Sequence, residues 1–111
     1  MKKTLLFLLS SLFFVSDLLL AQPKYEFRGV WIATVDNIDW PRNGQWDPEV
    51  QKADFIRIVE GHKNNGMNAM IVQVRPAADA FYPSSYEPWS QWLTGEQGKP
   101  PSPYYDPLQF M

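Results

Sequence analysis

The sequence predicts an α/β fold with a parallel sheet, and two observations lead to that prediction. The first is a nearly unbroken apolar run from Ala69 to Val74, which is typical of a strand covered on both faces in a parallel sheet. The second is the order of the segments, because one strand pattern precedes a helix signal and another follows it. Strands that alternate with helices indicate parallel pairing through helical crossovers.

The first predicted strand covers residues 26–35, which are rich in β-branched and aromatic side chains. Residues 36–46 are predicted to form the loop that follows, because Asn, Asp, Pro and Gly are frequent there. A second strand is predicted over residues 67–75 and a long loop over residues 76–105. Pro76 cannot donate to a strand ladder, so pairing should stop before it.

A helix is predicted between these strands, from Pro48 to about Asn64. Asp47 suits the N-cap position because its carboxylate can accept hydrogen bonds from the free amides of the first turn, and Pro48 suits the first helical position. Gly66 is the expected left-handed stop. One apolar face of this helix is formed by Phe55, Ile58, Val59 and His62.

The pair Asp106 and Pro107 repeats the helix-start signal, so a further helix should begin there. Two parallel strands and one complete helix are too few to cover both faces of the sheet. We therefore predict that residues 22–111 form the N-terminal portion of a TIM-type (β/α)8 barrel, comprising its first two βα units. The alternative is a complete small domain.

The first residues have the pattern of a secretory signal peptide. A positive start at Lys2 and Lys3 precedes an apolar stretch of signal-peptide length, and the small residue Ala21 precedes a plausible cleavage point. We predict that residues 1–21 are removed and that the protein is secreted or periplasmic. The alternative is an uncleaved transmembrane anchor, although the apolar stretch is short and Asp17 interrupts it.

The composition excludes several classes of site and partner. There is no cysteine, so the sequence offers no lipidation site, no disulfide and no thiolate metal site. The formal net charge is −2, whereas nucleic-acid and anionic-membrane partners call for a basic surface. No cofactor or metal motif is present, and we expect the single histidine, His62, to have a structural role.

Aromatic and planar polar residues cluster in the two loops that follow the predicted strands. This composition suits a carbohydrate ligand, because aromatic rings stack on sugar rings while carboxylates, amides and guanidinium groups bind hydroxyls. The alternative is a large loop whose aromatic side chains pack on one another. The residues concerned are Asp36, Asn37, Asp39 and Trp40 in the first loop, and Arg75, Asp79, Tyr82, Tyr86, Glu87, Trp89 and Trp92 in the second.

Glycoside hydrolysis generally requires two carboxylates, and both loops contain candidates. The alternative for Asp36 and Asp39 is the capping of turns, and for Asp79 it is an ion pair with Arg75 that shapes the loop. In a barrel the catalytic residues come from several strand ends, so we assign none of them here. The candidate carboxylates are Asp36, Asp39, Asp79 and Glu87.

Eight blocks of the sequence form a recognisable series that covers nearly all of residues 25–111. The blocks are Phe27–Val35, Asn37–Pro41, Gly66–Ala69, Gln73–Ala77, Asp79–Ser84, Glu87–Ser90, Leu93–Gly95 and Tyr105–Leu108. In this order they resemble the bacterial glycosyl-hydrolase-like family 10 domain. The resemblance implies a TIM-type barrel, export and action on a glycan, with bacterial cell-wall glycan as the leading substrate.

The matched motifs indicate which residues should contact the glycan, and Trp89 is added from the aromatic cluster. The predicted substrate-binding residues are Asn37, Asp39, Arg75, Asp79, Tyr82 and Trp89. The resemblance supplies no catalytic acid, so the catalytic residues stay unassigned. We expect an exported glycoside hydrolase-like protein of which this segment alone is inactive. The main alternative is a non-catalytic glycan-binding protein on the same fold.

Overall fold

The computed structural model describes residues 25–111, and the predicted signal peptide at 1–21 lies outside them. The elements of the described part confirm the predicted order of strand, helix and strand. None of its helices is long and apolar enough to cross a membrane. The elements are β1 (Gly29–Ile32), a 3-10 turn (Val35–Asn37), α1 (Pro48–Asn64), β2 (Ala69–Val72), α2 (Gln91–Thr94) and α3 (Pro107–Phe110).

The strands β1 and β2 form a two-stranded parallel sheet, as the order of segments predicts. The register pairs Gly29 with Ala69 at one end and Ile32 with Val72 at the other. Both strands are shorter than the sequence predicts. Their carboxyl ends nevertheless lie side by side, because parallel strands in register end at the same edge of the sheet.

Gln73 ends the ladder and joins the two chain segments that leave the sheet. Its side-chain Oε1 accepts hydrogen bonds from the backbone amides of Thr34 (3.1 Å) and Val35 (3.2 Å). In return, the Thr34 hydroxyl donates to the Gln73 carbonyl at 2.6 Å. A side-chain amide thus takes the place of a strand partner, so the observed strands end before the predicted ends at Val35 and Arg75.

Only one face of the sheet is covered within residues 25–111. On that face, Ile32 is 2% exposed and belongs to the same core cluster as Phe55 of α1. On the opposite face, Trp31 is 56% exposed and Ile71 is 44% exposed. The expectation of a strand covered on both faces is therefore not met in the described part of the chain.

Helix α1 begins and ends where the sequence predicts. Asp47 is the N-cap, and its Oδ1 accepts a hydrogen bond from the Glu49 amide at 2.9 Å, while Pro48 occupies the first helical position. Gly66 follows the helix with a φ of +81°, a conformation that other residues adopt only with strain. The predicted cap and stop signals are both confirmed.

The core contains side chains from the loops as well as from the sheet and α1. Trp40 of the first loop is fully buried, with its ring centroid 5.2 Å from that of Phe55 and 5.9 Å from that of Phe81. Its indole N–H donates to the Gln51 carbonyl at 2.8 Å, which satisfies the polar atom of a buried tryptophan. Of the two alternatives for the aromatic residues of the loops, Trp40 therefore follows packing with other aromatic side chains and is a core residue.

The long loop predicted over residues 76–105 contains the short helix α2, which the sequence did not predict. The Ser90 hydroxyl oxygen accepts a hydrogen bond from the Trp92 amide at 3.3 Å and caps its start. Gly95, with a φ of +84°, ends it. A four-residue helix is too short to produce an apolar period, so only these local caps mark it in the sequence.

Gln51 is a buried polar residue of α1 that connects both loops. Its Nε2 donates to the carbonyls of Gln45 (2.8 Å) and Leu93 (2.9 Å), and its Oε1 accepts from the Tyr105 hydroxyl (2.7 Å). Burial raises the pKa of the Tyr105 phenol, so this hydroxyl remains a neutral donor. One side chain thereby fixes the first loop, α2 and the end of the second loop relative to α1.

Asp54 connects α1 to the first loop by charge. Its carboxylate accepts hydrogen bonds from Arg42 (2.6 Å) and Arg57 (2.9 Å), and its side chain is 10% exposed. Burial alone would raise the pKa of Asp54, but the hydrogen bonds and charges of the two arginines hold it below its usual value. A carboxylate of this kind stabilises the fold above its unfolded-state pKa of about 4. That stabilisation is lost as the pH falls through the lower folded-state pKa.

We expect Asp54→Asn to lower the free energy of unfolding by about 1 kcal/mol at neutral pH, since both arginines stay largely exposed. The difference from wild type should disappear in the acid range, where the wild-type carboxylate is also neutral. The measurement is the melting temperature of the full-length protein against pH. Glu60→Gln is the matched control, because Glu60 is exposed on α1 and makes no salt bridge within residues 25–111. Parallel pH curves for wild type and Asp54→Asn would contradict this expectation.

Candidate functional site

The loops that follow β1 and β2 meet at the carboxyl edge of the sheet. Asn37 of the first loop donates through Nδ2 to the carbonyl of Trp92 in the second, at 2.7 Å. The hydrogen bonds between Thr34 and Gln73 hold the bases of the two loops together. Because α/β proteins bind ligands beyond the carboxyl ends of their strands, this edge is the candidate site.

Arg75 and Glu87 form a bidentate ion pair beyond the end of β2. Arg75 Nε donates to Glu87 Oε2 at 2.7 Å, and Arg75 Nη2 donates to Glu87 Oε1. Hydrogen bonding to Glu87 raises the pKa of Arg75, and the same bonds lower the pKa of Glu87. The suggested alternative of an ion pair between Arg75 and Asp79 is wrong, because the partner is Glu87.

This ion pair fixes the direction of the guanidinium group while leaving it accessible. The Arg75 side chain is 60% exposed, whereas that of Glu87 is 14% exposed. The Nη1 of Arg75 makes no hydrogen bond to any residue of the described part, so it is free to donate to a ligand. Glu87 is held ionised by its arginine, which suits a positioning role better than that of a general acid.

Asn37 and Asp39 both organise the first loop. Asn37 directs its two amide hydrogens to the carbonyls of Pro41 (2.8 Å) and Trp92 (2.7 Å). The Asp39 Oδ2 accepts a hydrogen bond from the Ala33 amide at 2.7 Å, which confirms the turn-capping alternative for that residue. Asn37 keeps Oδ1 as an acceptor, and Asp39 is exposed. Substrate binding by these two residues stays a prediction.

Asp79 lies at the base of the second loop and is 1% exposed. Its Oδ1 accepts a hydrogen bond from the Ala77 amide at 3.1 Å. The next residue, Ala80, pairs with the far side of the loop, since its amide donates to Pro88 and its carbonyl accepts from Ser90, both at 2.9 Å. Asp79 thus lies between a bend at residues 76–78 and the paired residue Ala80, and its predicted contact with substrate remains a prediction.

Tyr82 and Trp89 lie on the same loop as Arg75. Tyr82 is half-buried and close enough for its charge interaction to contribute, after that of Glu87, to the raised pKa of Arg75. Trp89 is half-buried and packs edge-on against Tyr104, with ring centroids 6.2 Å apart. Both aromatic residues therefore combine partial burial with an accessible surface, as stacking residues in a cleft require.

A cavity lies at the opposite edge of the sheet. It measures about 440 Å³ between the end of α1 and the start of β2, and His62, Met67 and Met70 are among its lining residues. No group of three or more His, Asp or Glu side chains in residues 25–111 is placed to hold a metal ion. Because parallel sheets carry their functional residues at the carboxyl edge, we do not assign the site to this cavity.

A smaller cavity of about 200 Å³ lies at the carboxyl edge, where the first loop meets α2. We name it the indole pocket; it is lined by Asn37, Asn43, Trp46, Gln91, Trp92 and Gly95. Of these residues only Asn37 was predicted as a substrate-binding residue. Trp46 had a usable sequence signal. It directly precedes the N-cap Asp47, where an apolar residue usually packs against the fourth helical residue, and that residue is here the polar Gln51.

The parallel βα arrangement, with polar and aromatic loops at its carboxyl edge, defines the class: an α/β protein suited to binding ligands at its strand ends. A family model described as glycosyl hydrolase-like 10 matches residues 26–111. The chain therefore belongs to the glycosyl hydrolase-like 10 family, which confirms the resemblance found in the sequence.

Two curated relatives agree with this assignment. Glycosyl hydrolase YngK from Bacillus subtilis (strain 168) is 54% identical over 91 residues, which are 82% of this chain and 18% of YngK. Glycosyl hydrolase DigH from Escherichia coli (strain K12) is 37% identical over an alignment of 97 residues, and the match covers 81% of this chain and 22% of DigH. The chain thus spans about a fifth of the length of the curated relatives it matches.

Proposed function

We propose that this chain is part of an exported glycoside hydrolase-like protein that acts on bacterial cell-wall glycan. The family and the names of the relatives support the glycoside-hydrolase-like class. The observation that carries the proposal is Arg75 at the end of β2, which Glu87 orients and which remains 60% exposed. A guanidinium group held in this way presents a fixed donor to sugar oxygens.

The substrate-binding surface in this proposal extends from Arg75 along both loops. The rings of Tyr82 and Trp89 offer apolar surface for sugar rings, and the exposed Asp39 offers an acceptor for hydroxyl groups. Asn37 contributes its Oδ1. Such a mixture of aromatic surface and few oriented polar groups is typical of ligand sites in general.

We further propose a TIM-type barrel in which β1 and β2 are neighbouring strands. The exposed face with Trp31 and Ile71 would then point into the barrel interior, because α1 covers the other face. Catalytic carboxylates would come from strand ends outside residues 25–111, since catalytic residues of barrels are distributed over several strands. The separation of two such carboxylates would decide between retention and inversion.

The second candidate function is glycan binding without catalysis. It is favoured by the engagement of three of the four candidate carboxylates: Asp39 with the Ala33 amide, Asp79 with the Ala77 amide, and Glu87 with Arg75. Among the described residues, the fourth carboxylate, that of Asp36, is exposed and makes no hydrogen bond. A binding protein needs only the aromatic rings and Arg75, all of which are in place.

The two candidates are separated by incubating the full-length protein with purified peptidoglycan, and with chitin and cellulose as comparison glycans. A hydrolase should release soluble products with new reducing ends from peptidoglycan, detected by a reducing-sugar assay and by mass spectrometry. A binding protein should sediment with the insoluble glycan and release nothing. If the protein releases no products and does not sediment with the glycan, both candidates are contradicted.

The export part of the proposal is tested on the N-terminus of the protein recovered outside the cytoplasm. Cleavage after Ala21 predicts that this N-terminus is Gln22. The measurement is mass spectrometry of the N-terminal peptide. Recovery of Met1 at the N-terminus of a membrane-bound protein would support the anchor alternative instead.

A further inference from the structure

The indole pocket has an aromatic wall that is fixed without being buried. Trp46 is 36% exposed, and its ring lies against the backbone of Gly95. A Cβ atom at Gly95 would stand 3.1 Å from two carbons of the indole, which is closer than most real Cβ contacts. Gly95 also has a φ of +84° at the end of α2. The positive φ favours glycine at this position, and the missing side chain leaves room for the indole of Trp46 against the backbone.

The pocket also contains polar groups that no protein partner uses. Asn37 donates both amide hydrogens to the carbonyls of Pro41 and Trp92, so its Oδ1 remains available to accept a hydrogen bond from a ligand. The side-chain amides of Asn43 and Gln91 make no hydrogen bond to any residue between 25 and 111, and each offers two donors and an acceptor. Donors and acceptors thus surround the indole.

The chemistry of this lining selects one class of ligand. An indole face takes the apolar C–H face of a pyranose ring, and carboxamide groups match the hydroxyl and acetamido groups at the rim of such a ring. No charged side chain lines the pocket, so a neutral sugar suits it better than one that carries a carboxylate. Its volume of about 200 Å³ is below the roughly 300–1,000 Å³ of pockets for larger ligands, which suits a single ring.

We propose that the indole pocket is a subsite that holds one neutral pyranose ring, of the N-acetylhexosamine class, within a longer glycan chain. This inference rests on the proposed function, because it assigns a subsite to the same carboxyl edge. Asn37 links the pocket to the rest of that edge, since it lines the pocket and belongs to the first loop. A glycan seated here would continue over the two loops.

The test measures binding of a long chito-oligosaccharide, a neutral chain of N-acetylglucosamine, to the full-length protein by titration calorimetry. Trp46→Ala removes the stacking surface, and Gln91→Ala removes an exposed amide without changing the backbone bonds of α2. Each substitution is expected to raise Kd about tenfold, which corresponds to about 1.4 kcal/mol. The matched control is Ile56→Ala, because Ile56 is 47% exposed on α1 and does not line the pocket. The control should keep the wild-type Kd.

Each outcome decides between the subsite and the proposed function. If wild type binds the oligosaccharide but Trp46→Ala and Gln91→Ala bind it equally well, the subsite is wrong and the proposed function stands. If wild type does not bind the oligosaccharide, the subsite is wrong, and the proposed function is decided separately by release from, or sedimentation with, peptidoglycan. If Trp46→Ala lowers the melting temperature, the comparison is made with Gln91→Ala alone, and an unchanged Kd for that variant overturns the subsite. Equal weakening by Ile56→Ala would also overturn it, because the loss would not come from the pocket.

Discussion

Replacing Gln51 with leucine is expected to lower the free energy of unfolding by about 2–6 kcal/mol, because it leaves two buried groups and one part-buried group without partners. Leucine matches the volume of glutamine but has no polar atom. The Tyr105 hydroxyl and the carbonyls of Gln45 and Leu93 would each lose a bond of 2.7–2.9 Å. Such a loss is a large fraction of a typical stability of about 5–15 kcal/mol. Urea unfolding of the full-length protein, followed by near-ultraviolet circular dichroism, measures it.

Tyr105→Phe is the matched control for this prediction. It removes one hydroxyl and leaves only Gln51 Oε1 without a partner, so a loss of about 1–2 kcal/mol is expected. The loss of unfolding free energy measured for the double variant should be smaller than the sum of the losses of the two single variants, because both single variants break the same hydrogen bond. An unchanged urea midpoint for Gln51→Leu would show that the two loops hold together without this residue.

The parts of the fold that the sequence predicts well depend on neighbours in the chain. Asp47 caps an amide two residues away, and Gly66 stops a helix that ends just before it, so both signals are local. The strand ends depend instead on Gln73, whose side chain reaches Thr34 and Val35 in another part of the chain. No pattern of hydrophobicity records such a contact, and the predicted strands were too long for that reason.

The candidate site shows the same division between composition and contact. The composition singles out the two loops as a candidate site, because aromatic and planar polar residues are frequent in them. This frequency does not depend on the role of any individual residue. The individual roles depend on distant partners: Arg75 bonds to Glu87, and Asn37 bonds to Trp92 across the sheet edge. Trp40 and Trp46 stand in one loop with similar neighbours, yet the first is buried and the second is 36% exposed. Only the packed structure separates a core tryptophan from an accessible one.

Arg75→Gln is expected to lower kcat/KM on peptidoglycan, or binding if the protein only binds, by about tenfold to a hundredfold. The neutral side chain keeps some length but loses the charged donors that Glu87 orients toward the candidate site. Arg75→Lys should restore little of the lost kcat/KM or binding, because an ammonium group does not reproduce a bidentate contact with Glu87. Stability should change little, since this ion pair is largely exposed on the arginine side. The measurements are steady-state kinetics or calorimetry, together with the melting temperature.

Glu87→Gln is the control that separates positioning from direct contact. It preserves the shape of the side chain and leaves Arg75 charged, but it weakens the bonds that set the direction of the guanidinium group. If Arg75 binds the glycan and Glu87 positions it, Glu87→Gln should show a smaller loss than Arg75→Gln, and the double variant should lose no more than Arg75→Gln alone. A large fall in melting temperature for Arg75→Gln with glycan turnover retained would instead mean that this ion pair holds the second loop together. In that case we would assign substrate binding to the aromatic residues at the same edge, because their rings are the other accessible groups there.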